Sequence, residues 1–290
     1  MIPVNGFHIG VMADSFRLGL HEGIKKAGQL GGEGVQIYAV QGDMSPENLT
    51  PVQRREILDL TVSNGLVISA LCGDLGGHGF TKVEDNPWKI EKTKRIMDLA
   101  RDMECNVVTT HIGVIPEDNM HPNWRILQEA CEELGGYGDK TGIYLAIETG
   151  PETALTLKNF LDSLSSHGVR VNLDPANLVM VTGDDPVAAV FTLKDYIVHT
   201  HAKDGIMLKK TNPAEIYNFF AEGGIEDFHL EKYFCETPLG EGDVRFTDYL
   251  KALDAIGYKG FLTIEREVGD HPEKDIRIAV EFLKRKMSEF

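Results

Sequence analysis

Four short apolar runs in the second half of the chain each end in a side chain that can ligate a metal. They are Ile143-Tyr-Leu-Ala-Ile-Glu148, Val169-Arg-Val-Asn-Leu-Asp174, Ile197-Val-His-Thr-His201 and Gly260-Phe-Leu-Thr-Ile-Glu265. A carboxylate set against a buried strand is costly unless a cation or a hydrogen-bonding partner compensates it. Any one of these residues reads as an ordinary strand cap or salt-bridge partner; four in succession read as a cage. Three carboxylates and one imidazole suit a single hard or borderline divalent ion. Mn2+ is the first expectation, with Zn2+, Mg2+ and Co2+ as the other ions such a set accepts.

Side chains alternate along a strand, so parity decides which residues share a face. If Glu148 points inward, Tyr144 and Ala146 go with it; Asp174 takes Asn172, His201 takes His199, and Glu265 takes Thr263 and Phe261. Leu145, Ile147, Val171, Leu173, Val198, Leu262 and Ile264 then fall on the opposite face. All four ligand candidates sit at the C-terminal end of their strand on the inward parity, where parallel barrels carry catalytic residues. His111 closes the fourth strand on the inward parity and is a candidate substrate contact. His199, one step deeper than His201, reads as structural. Lys203 is expected to reach a substrate oxygen or to pair with Glu267. The glycine-rich loop Gly73-Asp-Leu-Gly-Gly-His-Gly79 offers His78 as a further substrate contact. It lacks the G-x-x-x-x-G-K-[ST] pattern, so no nucleotide role is assigned to it.

The elements that must position these residues alternate along the whole chain. Strands are expected at Phe7–Met12, Gly34–Ala39, Val67–Cys72, Asn106–Gly113, Ile143–Gly150, Val169–Asn177, Ile197–Lys203 and Gly260–Glu267. Between them, apolar residues recur with helical spacing, as in Leu157, Phe160, Leu161 and Leu164, or Ile276, Ala279, Val280 and Leu283. Eight strand–helix units are the count that closes a parallel ring, so a single (β/α)8 TIM barrel over residues 1–290 is expected. One long irregular stretch, Gly205–Val244, follows the seventh strand, with a short helix expected at Pro213–Ala221. It reads as an insertion serving as a lid or an oligomer contact.

Composition narrows the partners. The chain has 29 basic and 45 acidic residues, a net charge of −16, which disfavours nucleic acid and anionic membranes as partners. Its four cysteines form no C-x-x-C pair, which fits free thiols in a reducing compartment. The N-terminus, Met-Ile-Pro-Val-Asn-Gly-Phe, lacks the features of a signal peptide, and no apolar stretch is long enough to cross a bilayer. A cytoplasmic protein is expected.

The motifs together are specific for a family. Thr110-His-Ile-Gly113, Ala146-Ile-Glu-Thr-Gly150, Asn172-Leu-Asp-Pro-Ala-Asn177, Val198-His-Thr-His-Ala-Lys-Asp-Gly205, Gly240-Glu-Gly-Asp-Val244 and Thr263-Ile-Glu-Arg-Glu267 occur in order. In this the chain resembles the sugar phosphate isomerase/epimerase family of xylose isomerase-like TIM barrels, which includes the ketose 3-epimerases and endonuclease IV. The resemblance implies a metal held by Glu148, Asp174, His201 and Glu265, with both glutamates as the acid–base pair. It implies a small sugar substrate bound with the help of Asn177, often in a dimer or tetramer. The expected reaction is a sugar isomerisation or epimerisation through an enediolate. A dehydratase or lyase acting on an oxidised sugar, keto-glycoside or keto-inositol would use the same residues, and DNA repair of the endonuclease IV kind is a distant alternative. The sequence departs from the ketose epimerases at Asn177, where they carry His, and at Met207, where they carry Arg.

Overall fold

The computed structural model describes residues 6–225 and 228–289; the first five residues, part of the segment read above for a leader, lie outside it. Eight parallel strands close into a barrel: β1 (His8–Met12), β2 (Gly34–Tyr38), β3 (Val67–Cys72), β4 (Val107–Thr110), β5 (Tyr144–Glu148), β6 (Val169–Leu173), β7 (Ile197–Ala202) and, last in sequence, β10 (Phe261–Ile264). β10 lies between β7 and β1, which seals the ring. A closed ring leaves no strand edge unpaired, and each strand buries one face inward and the other against helices.

The helix layer consists of α1 (Leu20–Leu30), α2 (Pro51–Ser63), α3 (Asn86–Asp102), α4 (Pro122–Thr141), α5 (Ala154–Asp162), the short α6 (Pro175–Asn177), α7 (Pro186–Thr192), α9 (Phe246–Ala255) and α10 (Pro272–Met287), with α8 (Pro213–Ala221) set apart in the insertion. Leu145, Ile147, Val171, Leu173, Leu262 and Ile264 join Leu157, Phe160, Leu161, Ile276, Val280 and Leu283 in one apolar core between strands and helices. Each fully buried Leu, Ile or Phe in that layer contributes about 1.5–3 kcal/mol. Inside the barrel, Ala70, Val107 and Ala146 form a separate small cluster. Bulk there comes from Thr263 and Phe261. A Cβ on Gly10 would lie 2.4 Å from Thr263 Oγ1, and one on Gly34 2.4 Å from Phe261 Cε1, so both strands can close only around glycine.

Several elements differ from the sequence expectation. β4 stops at Thr110, leaving His111 in the loop beyond it. β6 stops at Leu173, because the Asp174 carboxylate accepts hydrogen bonds from the backbone N–H groups of Ala176 (2.7 Å) and Asn177 (3.0 Å) and so caps α6. Val198, expected to face the helices, packs instead against the interior cluster of Ala70, Val107 and Ala146. The cause is a register shift between Val171 and Asn172: Val171 pairs with Ile197 and Asn172 with His199, leaving Val198 as the extra residue of a bulge.

The insertion contains the expected helix α8 and an unexpected antiparallel pair, β8 (Asp204–Met207) with β9 (Phe234–Thr237). Its base is tied by Asp204, whose carboxylate accepts the N–H groups of Gly205 (2.9 Å), Gly240 (2.9 Å), Gly242 (3.1 Å) and Val244 (3.1 Å). Cys72, Cys105 and Cys131 are buried, whereas Cys235, on β9, is exposed. Among the described residues, no helix is long and apolar enough to cross a membrane.

Candidate metal centre

Glu148, Asp174, His201 and Glu265 converge at the C-terminal rim of β5, β6, β7 and β10, all buried, each offering one ligand atom within 4.8 Å of the others. His201 is the hub. Its Nδ1 lies 3.3 Å from Asp174 Oδ2, 3.4 Å from Glu265 Oε2 and 3.6 Å from Glu148 Oε1. Its Nε2 lies 3.0 Å from Gln36 Oε1, while the amide of Gln36 donates to Thr109 Oγ1 at 2.9 Å. With its Nε2 proton given to the Gln36 carbonyl oxygen, His201 would need to lose only the Nδ1 proton to present a lone pair to the three carboxylates, the tautomer a metal ligand needs.

The cage draws in positive charge. Burial pulls the His201 pKa down, yet Glu265 and Glu148 overcome this and hold it well above its ordinary value. Burial pushes the Glu265 carboxyl up, but Lys203 and His201 hold it well below the usual carboxylate range. A buried set of three carboxylates and one imidazole, with Nδ1 turned inward, fits a divalent ion.

The supports come from neighbouring strands. Asn172 donates to Glu148 Oε2 (3.1 Å) and Asn177 to Glu148 Oε1 (3.1 Å). His199 spans Asn172 Oδ1 (2.9 Å) and Thr263 Oγ1 (3.0 Å), and burial together with His201 lowers its pKa well below normal. It is a neutral spacer beneath His201. The barrel's two register shifts fall at Val35/Gln36 and Val171/Asn172, so Gln36 and Asn172, the amides flanking the His201 ring, each follow one.

Above the cage lies a cavity of about 710 Å3 lined by Glu148, Glu265, His111, Asn177, Lys203 and Glu267 among others. Lys203 Nζ donates to Glu265 Oε2 at 3.0 Å and also to Glu267, and lies 3.8 Å from Glu236 on β9. Its pKa is lowered by burial but driven well above normal by Glu265 and Glu267. His111 Nδ1 meets Asp74 Oδ2 at 2.9 Å, and its Nε2 lies 3.9 Å from Glu148 Oε1. Burial pulls the His111 pKa down, yet Glu148 and Asp74 carry it to about 10. The Gly73–Gly79 loop reaches His111 because Gly79 passes directly over Ile112; a Cβ there would lie 2.1 Å from the Ile112 carbonyl carbon. His78 does not line the cavity. It pairs with Glu222 at the end of α8 and so pins the insertion.

Two residues are added by the structure. Gln36 had a signal in the sequence, a lone amide on the inward parity of an apolar strand. Glu152, in the loop after β5, had none. Its carboxyl is buried, Oε2 has no hydrogen-bond partner, and burial raises its pKa to about 8, opposed by the nearby charge of His111.

The same fold is found in known proteins. Residues 24–286 match the family described as xylose isomerase-like TIM barrel, and the chain belongs to it. A crystal structure of a xylose isomerase domain protein from Planctomyces limnophilus superposes with a TM-score of 0.78 at 25% identity, covering 98% of this chain and 97% of that one. An uncharacterised protein of Methanocaldococcus jannaschii is 26% identical over 211 residues, 67% of this chain and 62% of that protein. An inosose dehydratase of Clostridium perfringens is 25% identical over 151 residues, 50% of this chain. The chain thus spans between 47% and 62% of the length of the curated relatives it matches.

Proposed function

We propose that this member of the xylose isomerase-like TIM barrel family is a divalent-metal-dependent enzyme that moves a proton on the carbon beside a carbonyl, isomerising or epimerising a sugar or sugar derivative. The observation that carries this reading is the unequal setting of two glutamates in one cage. Glu265 is held as an anion by the Lys203 ammonium, whereas Glu148 takes the amides of Asn172 and Asn177 and faces the His111 imidazole at 3.9 Å. Carboxylates in contrasting environments are how one site supplies both a base and an acid.

A divalent ion, Mn2+ by first expectation, would be held by Glu148, Asp174, His201 and Glu265 and would supply positive charge to stabilise negative charge developing on the substrate. Glu265, held as an anion by Lys203, removes the proton from one face of the carbon, and the electron pair moves to the carbonyl oxygen, giving an enediolate. In an epimerisation a proton returns on the other face through Glu148, drawn from the His111 imidazolium 3.9 Å away. His111, fixed by Asp74, faces Glu148 across the cavity and donates to a substrate oxygen, and Asn177, Lys203 and Glu267 hold the remaining hydroxyls.

A second reading, dehydration of a keto-sugar or keto-inositol, would use the same cage. Expelling hydroxide as water needs an acid, and His111, which lines the cavity, keeps its proton up to about pH 10. The likeness to an inosose dehydratase supports it. The test is to incubate the Mn2+-loaded protein in D2O with a panel of ketoses and inososes. Deuterium entry at the carbon beside the carbonyl, with mass otherwise conserved, supports isomerisation; loss of water supports dehydration. A loaded cage with no exchange on any carbonyl substrate overturns both.

A further inference from the structure

The cavity is two-sided, and the polar cage accounts for only one side. Its far side is lined by the apolar Met180, Val181, Ile216, Phe220, Leu230 and Phe234, with Glu231, Cys235 and Glu236 as the polar members beside them. None of the six apolar side chains offers a hydrogen bond. Tyr217 sits between the two sides, but its hydroxyl is turned to the backbone carbonyl of Gly77 at 3.2 Å, so it too presents ring to the cavity. A sugar ring packs its C–H faces on apolar side chains, but its rim of hydroxyls must find donors and acceptors, which the six apolar side chains of the far wall do not offer. A cavity of about 710 Å3 lies in the range that takes ligands far larger than one six-carbon ring. Phe220 on α8 lines the cavity and is 62% exposed.

Resting on the reading of the cage as a carbonyl-sugar site, we infer that the substrate is amphipathic. A keto-sugar head sits at the cage, and an apolar substituent, aryl or alkyl and joined through a glycosidic oxygen, lies against α8 and β9. Ile216, Phe220 and Phe234 are its specificity residues. They touch no reacting atom and act by removing the substituent's surface from water.

The experiment uses matched pairs on the Mn2+-loaded protein. Calorimetric titration with phenyl β-D-glucoside and methyl β-D-glucoside, neither of which can react, reads the wall alone. Phenyl is expected to bind about tenfold or more tightly, the usual discrimination of an apolar pocket. Phe220→Ser, on an exposed helix face where folding is not at stake, is expected to shrink that ratio; Phe234→Ser provides the same check from β9. Equal affinity for phenyl and methyl, or a ratio untouched in both variants, overturns the inference. Deuterium exchange on the corresponding 3-keto-glucosides is read separately. Exchange at equal kcat/KM for phenyl and methyl overturns the amphipathic substrate and leaves the cage chemistry standing. A phenyl preference in binding with no exchange in either keto-glucoside overturns the cage reading while the apolar wall stands.

Discussion

The cage and the insertion face each other across one cavity and are held in different ways. Glu148, Asp174, His201 and Glu265 come from four parallel strands, are buried, and are cross-linked by bonds that follow the sheet, such as Asn172 to Glu148 and Thr149 Oγ1 to the Asp174 carbonyl (2.8 Å). The insertion stands on the hairpin β8–β9. Polar pins fasten it to the rim: His78 to Glu222, Tyr217 to the Gly77 carbonyl, and Glu236 to Arg266 at 2.6 Å. The first region is fixed by the barrel's own sheet, the second by side-chain pins and by the Asp204 tie at its base. Chemistry and selectivity are carried by parts that can be perturbed one at a time.

The largest effect separates the cage from everything around it. Dialysis against a chelator should abolish turnover while far-UV circular dichroism keeps its barrel signature, because the apolar layer between strands and helices does not include the four ligands. Loss of that signature would make the cage a folding element. Glu148→Gln and Glu265→Gln come next, each expected to cut kcat by roughly 10²–10⁴-fold with a much smaller change in substrate affinity. Either variant retaining full kcat with a loaded site would remove the two-carboxylate mechanism.

Glu152 tests the border between the regions. Its carboxyl titrates at about 8 in the folded protein against 4.5 when exposed. Between those values the folded state keeps a proton that the unfolded chain has released, so stability falls as pH rises through that window. Glu152→Gln is neutral at every pH. Thermal unfolding should show variant and wild type alike near pH 4, with the variant more stable above pH 8; parallel curves would mean that Glu152 is already ionised. The smallest effect belongs to the insertion. Glu222→Ala removes a partly exposed pair worth about 0.2–1 kcal/mol, so KM should rise by a few-fold with kcat unchanged. A fall in kcat comparable with that of the glutamate variants would erase the distinction between the two regions.

What could be read from the sequence follows the same division. Parity along β5, β6, β7 and β10 brought Glu148, Asp174, His201 and Glu265 to one face, because alternation is local and survives folding. Helix α8 was legible over Pro213–Ala221 from its own composition. Val198 was misplaced because a bulge breaks alternation without a sequence mark. The role of Gln36 depends on His201, 165 positions away, and no spacing rule reports such a contact. β8–β9 went unseen because its partners are separated by the whole of α8. The sequence offers His78 as a substrate contact, yet it pairs with Glu222 at the end of α8 and does not line the cavity, a contact that no local pattern reports.

The exposure of Cys235 has a practical consequence. Its thiol sits on β9 where the hairpin lines the cavity, and the other three thiols are buried. The unmodified chain therefore carries its own labelling point. A thiol-reactive fluorophore should attach there selectively, next to Phe234, and its emission turns the wild-type protein into a reporter of occupancy of the apolar side.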